Sequence, residues 1–588
     1  MSVEKLIVDH METWTSALQT RSTAGRGSSG KIDLYGIKKL RELILELAVR
    51  GKLVPQDPND EPASELLKRI AAEKAELVKQ GKIKKQKPLP EISEEEKPFE
   101  LPEGWEWVTF SHLGYFFGGK TPSKMKDEYW GGTIPWVTPK DMKTNLIVDS
   151  EDKVTPLALE DGLTKVSPGS ILFVARSGIL RRIFPVAITS IECTVNQDIK
   201  VLSPFFSDIS YYILLMMNGF ERYIIENLTK TGTTVESLLF EDFISHPFMI
   251  PPFAEQNRIL STVKKLMSLC DQLEQQSLTS LDAHQQLVET LLGTLTDSQN
   301  VEELAENWAR ISEHFDTLFT TEASVDALKQ TILQLAVMGK LVPQDPNDEP
   351  ASELLKRIAQ KKAQLVKEGK IKKQKPLPPI SDEEKPFELP EGWEWCRLGS
   401  IYNFLNGYAF KSEWFTSVGL RLLRNANIAH GVTNWKDVVH IPNDMISDFE
   451  NYILSENDIV ISLDRPIINT GLKYAIISKS DLPCLLLQRV AKFKNYANTV
   501  SNSFLTIWLQ SYFFINSIDP GRSNGVPHIS TKQLEMTLFP LLPQSEQDRI
   551  ISKTDELIQT CNKLKYIIKT AKQTQLHLAD ALTDAAIN

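Results

Sequence analysis

Apolar residues in a repeating rhythm are the first landmark along this chain. Ile259, Val263, Leu266, Cys270 and Leu273 recur in alternating steps of four and three, which lines one narrow face of a helix. The seam thins through Ser277 and Ser280 and resumes at Leu287 and Leu291. Near the C-terminus the rhythm returns through Ile550, Thr554, Leu557, Cys561, Leu564, Ile568 and Ala571, then Leu578 and Leu582. Each series starts just after a proline and a Glu-Gln pair, a plausible first turn. A helix with one narrow seam needs a partner, and the other series is the natural candidate. That predicts an antiparallel pair in which about 33 residues form a rod roughly 50 Å long. Two helices each docked on its own domain is the alternative. A second helical pattern covers Ala63–Lys79 and Ala351–Lys367, with Leu66, Leu67, Ile70 and Leu77 apolar and Gly81 or Gly369 as C-cap. Ser170–Ala175 and Asp458–Ser462 read as strands, and Tyr211–Ile225 as a buried helix.

These patterns come in pairs because the chain is duplicated. Gly51–Trp107 returns as Gly339–Trp395, with 51 of 57 positions identical and no gap. Pro252–Ile259 aligns with Pro543–Ile550, and the match runs on through both seams. Between the repeats lie two stretches of similar length, 108–251 and 396–542, that are mostly unlike each other. A solenoid would repeat everything at a short period, so that class is excluded. Near-identity beside wide divergence suggests that the repeats bind two copies of one partner while the divergent parts read different targets. Arg21–Lys31 is a Gly/Ser-rich linker, and Lys82–Pro90 a basic, Pro-punctuated loop.

Composition adds little except a puzzle. The 588 residues carry 66 Lys and Arg against 76 Asp and Glu, a net charge of −10, which as a whole-chain figure argues against a polyanion-binding protein. Five dispersed cysteines without a Cys-x-x-Cys pair, nine histidines without metal-ligand spacing, and no secretory leader or membrane-length apolar run together predict a cytoplasmic, soluble protein.

The lead-ins LPEGWEW at Leu101–Trp107 and Leu389–Trp395 and the exits at Pro251–Gln256 and Pro543–Gln547 carry a likeness. So do GGKTPS (Gly118–Ser123), YWGGTIPWVTPKDM (Tyr129–Met142) and TGTTVESL (Thr231–Leu238) in the first divergent stretch. In the second stretch the corresponding motifs are NGYAFKSEWF (Asn406–Phe415), GLRLLRNANI (Gly419–Ile428) and PHIS (Pro527–Ser530). In this order, and duplicated, the sequence resembles the specificity subunits of Type I restriction–modification enzymes. Its extended N-terminal repeat is similar to the longer subclass labelled IB.

The resemblance implies an α+β fold with internal pseudo-twofold duplication. Two α/β target-recognition domains would be separated by an antiparallel two-helix coiled-coil spacer. Residues 1–107 would be an N-terminal docking region, 108–250 the first recognition domain, and 251–395 the central spacer with the second docking repeat. Residues 396–540 would be the second recognition domain and 541–588 the last spacer helix. Each recognition domain would read half of a bipartite double-stranded DNA site. Two methyltransferase subunits would dock on the repeats and restriction subunits would join them. S-adenosylmethionine, ATP and Mg would belong to those partners, with no cofactor or metal in this chain. A rod of that length suits half-sites about ten to twelve base pairs apart.

Two other classes remain to be weighed: a self-contained DNA-modifying enzyme (a fused methyltransferase or P-loop NTPase), and a scaffold that pairs two identical partners without reading DNA. Gly114–Thr121 formally matches G-x-x-x-x-G-K-[ST], but Tyr115, Phe116 and Phe117 fill the loop and Pro122 follows. Pro251-Pro252-Phe253 resembles the adenine-methyltransferase motif, yet Ile250 stands where Asn or Asp must hold the target amine. Both details speak against catalysis in this chain. DNA reading then rests on local clusters, because 108–250 has 13 Lys and Arg against 16 Asp and Glu, and 396–540 has 13 against 11. In the first domain the candidates are Lys120, Thr121, Ser123, Lys124, Lys126, Arg176, Ser177, Arg181, Arg182, Thr231, Thr233 and Thr234. In the second they are Lys411, Arg421, Arg424, Asn425, Arg465, Asn469, Arg522, Asn524 and His528. Arg suits guanine edges, Asn suits adenine, and Lys and hydroxyls suit phosphates.

Overall fold

The repeated segment folds the same way twice. In the computed structural model, which describes every residue except 1–2, 22–30, 84–91, 98, 233–234, 469–470, 519–527 and 588, helix α1 (Tyr35–Val49) leads into the first copy and α2 (Ala63–Lys79) lies within it. Pro62 enters α2 in an extended conformation and Gly81 leaves it at a φ of 71°, where a side chain would be strained. The long helix α3 (Phe253–Asp297) follows, and a buried lock ties its first turn to the repeat. Trp105 Nε1 donates to Glu255 Oε2 at 3.0 Å, Gln56 Nε2 to Glu255 Oε1 at 3.2 Å, and Arg258 pairs with Asp60 at 2.6 Å. Burial pushes the Glu255 carboxyl above its ordinary range.

Between α2 and α3 lies the first divergent stretch, whose main sheet is built from β1 (Gly114–Gly118), β2 (Leu146–Ile147), β3 (Ile171–Val174), β4 (Val186–Thr189) and β5 (Ile199–Pro204). Its strand order is β1-β5-β3-β4-β2, antiparallel except for the β4–β2 pair. β3 is buried along its whole length, which matches the unbroken apolar run that marked it in the sequence. The expected helix over Tyr211–Ile225 is two, Ser210–Gly219 and Glu221–Asn227. Gly219 at the end of the first lets α1 approach closely, because a Cβ there would press on the Val49 side chain at 2.7 Å.

The second half repeats the plan with α4 (Glu322–Val337), α5 (Ala351–Lys367) and α6 (Gln544–Ile587). Trp393 donates to Glu546 at 2.8 Å, Gln344 to Glu546 at 3.1 Å, and Arg549 pairs with Asp348 at 2.6 Å. The sheet contains β6 (Tyr402–Asn406), β7 (His430–Gly431), β8 (Ile459–Ser462), β9 (Tyr474–Ile476) and β10 (Val490–Asn495), in the order β6-β10-β8-β9-β7. Strand for strand this is the first sheet again, including the one parallel pair. In both halves the lead-in pairs antiparallel with the exit, Glu106–Val108 with Phe248–Ile250 and Glu394–Arg397 with Leu538–Leu541. Divergent sequence has therefore kept one topology.

The chain divides into two compact units, one of residues 29–279 and 572–588 with the N-terminal helices, the other of residues 280–571. Each long helix is shared between the two: α3 opens in the first unit and closes in the second, and α6 does the reverse. At 45 and 44 residues both exceed the 33 expected.

Their seams are buried as read through Ile259, Val263, Leu266, Cys270 and Leu273, and through Ile550, Thr554 and Cys561. Beyond the unit boundary the buried face moves. Val288, Leu292 and Leu295 are buried while Leu287 is 50% exposed, and Ala579 and Thr583 are buried while Leu578 is 45% exposed. The reason is a change of neighbours. In the second unit the end of α3 and the start of α6 share a core with Val325, Leu328, Ile332 and Leu335 of α4. In the first, α1 joins both helices, Arg41 pairing with Asp271 and Glu274 and Tyr35 donating to Asp580. The helix just before each repeat thus backs the long helices in its unit. All five cysteines are free and buried, and burial raises the Cys193 and Cys270 thiols to about 11.

Candidate nucleic-acid interface

Part of the candidate set, Lys120, Thr121, Arg176, Ser177, Asn425, Arg465 and His528, lies where β3 and β8 end. β3 runs into Ala175-Arg176-Ser177, and β8 into Leu463-Asp464-Arg465. Backbone hydrogen bonds hold these exits identically. Ala175 N–H donates to the Asp198 carbonyl at 2.8 Å, and Leu463 N–H to the Arg489 carbonyl at 2.8 Å. The Leu238 and Ile529 N–H groups in turn donate to the carbonyls of Ala175 and Leu463. Alongside, Lys120 N–H reaches the Val195 carbonyl and Tyr408 N–H the Leu486 carbonyl, both at 3.1 Å. Gly119 and Gly407 precede them because a Cβ at either would collide with the neighbouring backbone, at the Val195 and Leu487 carbonyls.

On this shared backbone the side chains differ. In the first region the turn 195–198 brings three segments together. Thr121 hydrogen-bonds Gln197, Lys120 bonds through its backbone to Val195, and Arg176 bridges to Ser237. Ser177 Oγ caps the short 3-10 helix Gly178–Arg181 by accepting from Ile179 N–H. Arg181 pairs with Glu236, whose side chain is 6% exposed and held below the ordinary carboxylate range by that contact. The second oxygen of Glu236 is buried and has no partner among the described residues. Lys126 donates to Tyr129 Oη at 2.6 Å, Tyr129 to Asp161 at 2.7 Å, and Trp130 Nε1 to the Ser123 carbonyl at 3.2 Å. These bonds stiffen a loop that leaves Lys124 and Met125 exposed. Arg182 and Thr231 are also exposed; Thr233 and Thr234 lie outside the described residues.

In the second region Asp464 is the hub. Its carboxylate accepts from Asn425 Nδ2 at 3.1 Å and pairs with Arg489 at 3.3 Å and His528 Nδ1 at 2.9 Å. Arg465 beside it is exposed at a φ of 48°. Arg421 and Arg424 are committed inward. The first donates to the Ser480 and Leu482 carbonyls and covers the Trp435 ring; the second pairs with Asp437 and caps Asn427. Lys411 lies over Trp414 beside Glu413. Asn469, Arg522 and Asn524 lie outside the described residues.

Gln197, Asp198, Glu236, Asp464 and Arg489 belong to these sites and were not anticipated. The usable signal was a charge directly after a buried strand, as at IVIS-L-Asp464. The phosphate-loop lookalike is strand β1, so its amides pair with β5 across Gly114–Gly118. Among the described residues no group of His, Cys, Asp and Glu is placed to hold a metal, and no helix is long and apolar enough to cross a membrane.

Residues 102–283 and 390–572 match a family model described as the Type I restriction modification DNA specificity domain. The specificity subunit of the Type I restriction enzyme EcoAI from Escherichia coli is 76% identical over the whole of both chains. That of EcoEI, also from Escherichia coli, is 48% identical over the whole of both. The crystal structure of the HsdS subunit from Thermoanaerobacter tengcongensis is 17% identical, with a TM-score of 0.39 over 83% of this chain and 98% of that one. Two matched segments and full-length identity to both relatives make this chain a member of the specificity-subunit family of Type I restriction–modification enzymes.

Proposed function

We propose that the chain reads a bipartite, asymmetric site on double-stranded DNA, one half with residues 108–250 and the other with 396–540. It directs N6-adenine methylation or restriction performed by partner subunits. What carries this reading is one backbone arrangement, used twice, presenting two different sets of donors and acceptors. A scaffold without a reading role would have no use for that difference. Arg176 and Arg182 in one region and Arg465 in the other are free to approach base edges, and Lys120 and Lys124 to approach phosphates. With each region close to charge balance, discrimination is this chain's contribution and much of the affinity comes from the assembled complex.

The partners are two methyltransferase subunits, one per repeat, and restriction subunits that join them. S-adenosylmethionine, ATP and Mg belong to those partners, and the setting is the cytoplasm. The extended repeat before the first recognition region supports the IB subclass. The test is co-expression with the cognate methyltransferase subunit and genome-wide mapping of N6-methyladenine. A two-part motif with a fixed gap is the expected result; random or absent methylation refutes the reading.

A further inference from the structure

Carboxylates are out of place at a surface meant for a polyanion, yet each region keeps one at the same end of its sheet. Glu236 sits one residue before Ser237, which bridges to Arg176; Asp464 bridges to His528. Each is mostly shielded, 6% and 17% exposed, while the guanidinium it holds is open, Arg181 at 61% and Arg489 at 63%. The open guanidinium limits what each pair adds to stability, and backbone hydrogen bonds already hold both exits. A shielded carboxylate under an exposed guanidinium does have one clear effect. It fixes the direction of the fork, as a base edge requires, without presenting its own charge.

We propose that Glu236 and Asp464 are positioning residues for specificity, presetting Arg181 and Arg489 to donate to base edges in their respective half-sites. Asp464 also aligns Asn425 and His528 on the same edge. The two regions therefore reach one solution through different residues. At the exit of the central strand the first has Arg176 where the second has Asp464, and on the adjoining turn the first has Asp198 where the second has Arg489. The charge order is inverted while the backbone is kept, so the half-sites differ at the positions these residues face. This rests on the DNA-reading role proposed above.

The test uses the full chain co-expressed with its methyltransferase subunits, with methylation mapped genome-wide. Asp464→Asn is expected to admit sites altered at one position of one half-site, raising their methylation about tenfold or more relative to the full motif, with the other half-site read as before. Glu236→Gln is expected to relax the opposite half-site. Arg489→Lys keeps the charge and loses the fork, and relaxes the same position as Asp464→Asn. An unchanged motif in an assembled complex overturns the proposal, and so does equal loss at both half-sites. A parent complex that yields no two-part motif would instead refute the DNA-reading role.

Discussion

The two repeats and the two variable regions answer sequence change in opposite ways. The repeats are almost identical, and their locks agree contact by contact: Trp105 and Trp393 on Glu255 and Glu546, Arg258 and Arg549 on Asp60 and Asp348. The variable regions share few residues, yet they share strand order, strand direction and the hydrogen bonds at the exit of the central strand. Apolar burial along β3 and β8 is what topology needs, and many sequences supply it. The charges on the exits are free of that demand and diverge. On the reading proposed above, constancy marks a common partner, and divergence on a constant backbone marks a target that differs.

That contrast makes predictions of graded size. Trp105→Ala and Trp393→Ala each remove a buried indole and should cost about 3–5 kcal/mol in denaturant unfolding. The two losses should be alike, and a large inequality would break the equivalence of the repeats. Arg176→Ala and Arg465→Ala should each weaken binding by about 1–3 kcal/mol against duplexes carrying the intact half-site, one half-site apiece. Loss at both half-sites from either variant, measured by competition binding, would count against separate reading. Gly119→Ala and Gly407→Ala should destabilise by about 1–3 kcal/mol each, because the backbone they approach is the same in both regions. Lys124→Ala should weaken binding to all sequences and lower the salt slope by about one unit.

The smallest effect concerns pH. Burial holds Glu255 and Glu546 above the value of about 4.3 expected for the unfolded chain. Ionising them therefore opposes folding. The penalty is absent below the unfolded value and complete once pH passes the raised folded value. Glu255→Gln and Glu546→Gln should flatten the fall in stability across that window, read by urea unfolding at stepped pH.

The duplication, the helix over Ala63–Lys79 and the opening stretch of both seams were legible because each is written in local spacing. The far seams were not. Leu287 and Leu578 continue the apolar rhythm, but which face is buried depends on the helices encountered past the unit boundary. Arg176 and Arg465 were chosen by residue type, and both are exposed. Arg421 and Arg424 were drawn by the same rule and turn inward, since Trp435 and Asp437 are not adjacent to them in sequence. Asp464 was passed over because an acid discourages a DNA reading until its three partners are seen.

The allocation of α6 has a consequence for how the protein is made. Residues 572–588 complete the unit that otherwise ends at 279, with Ala579 buried, Tyr35 bonded to Asp580 and Lys52 to the carbonyl of Ile587. Those bonds join residues more than 500 positions apart, so Tyr35 and Lys52 must await segments made much later in translation to acquire these contacts. A product truncated before residue 572 would carry its defect in the unit synthesised earlier.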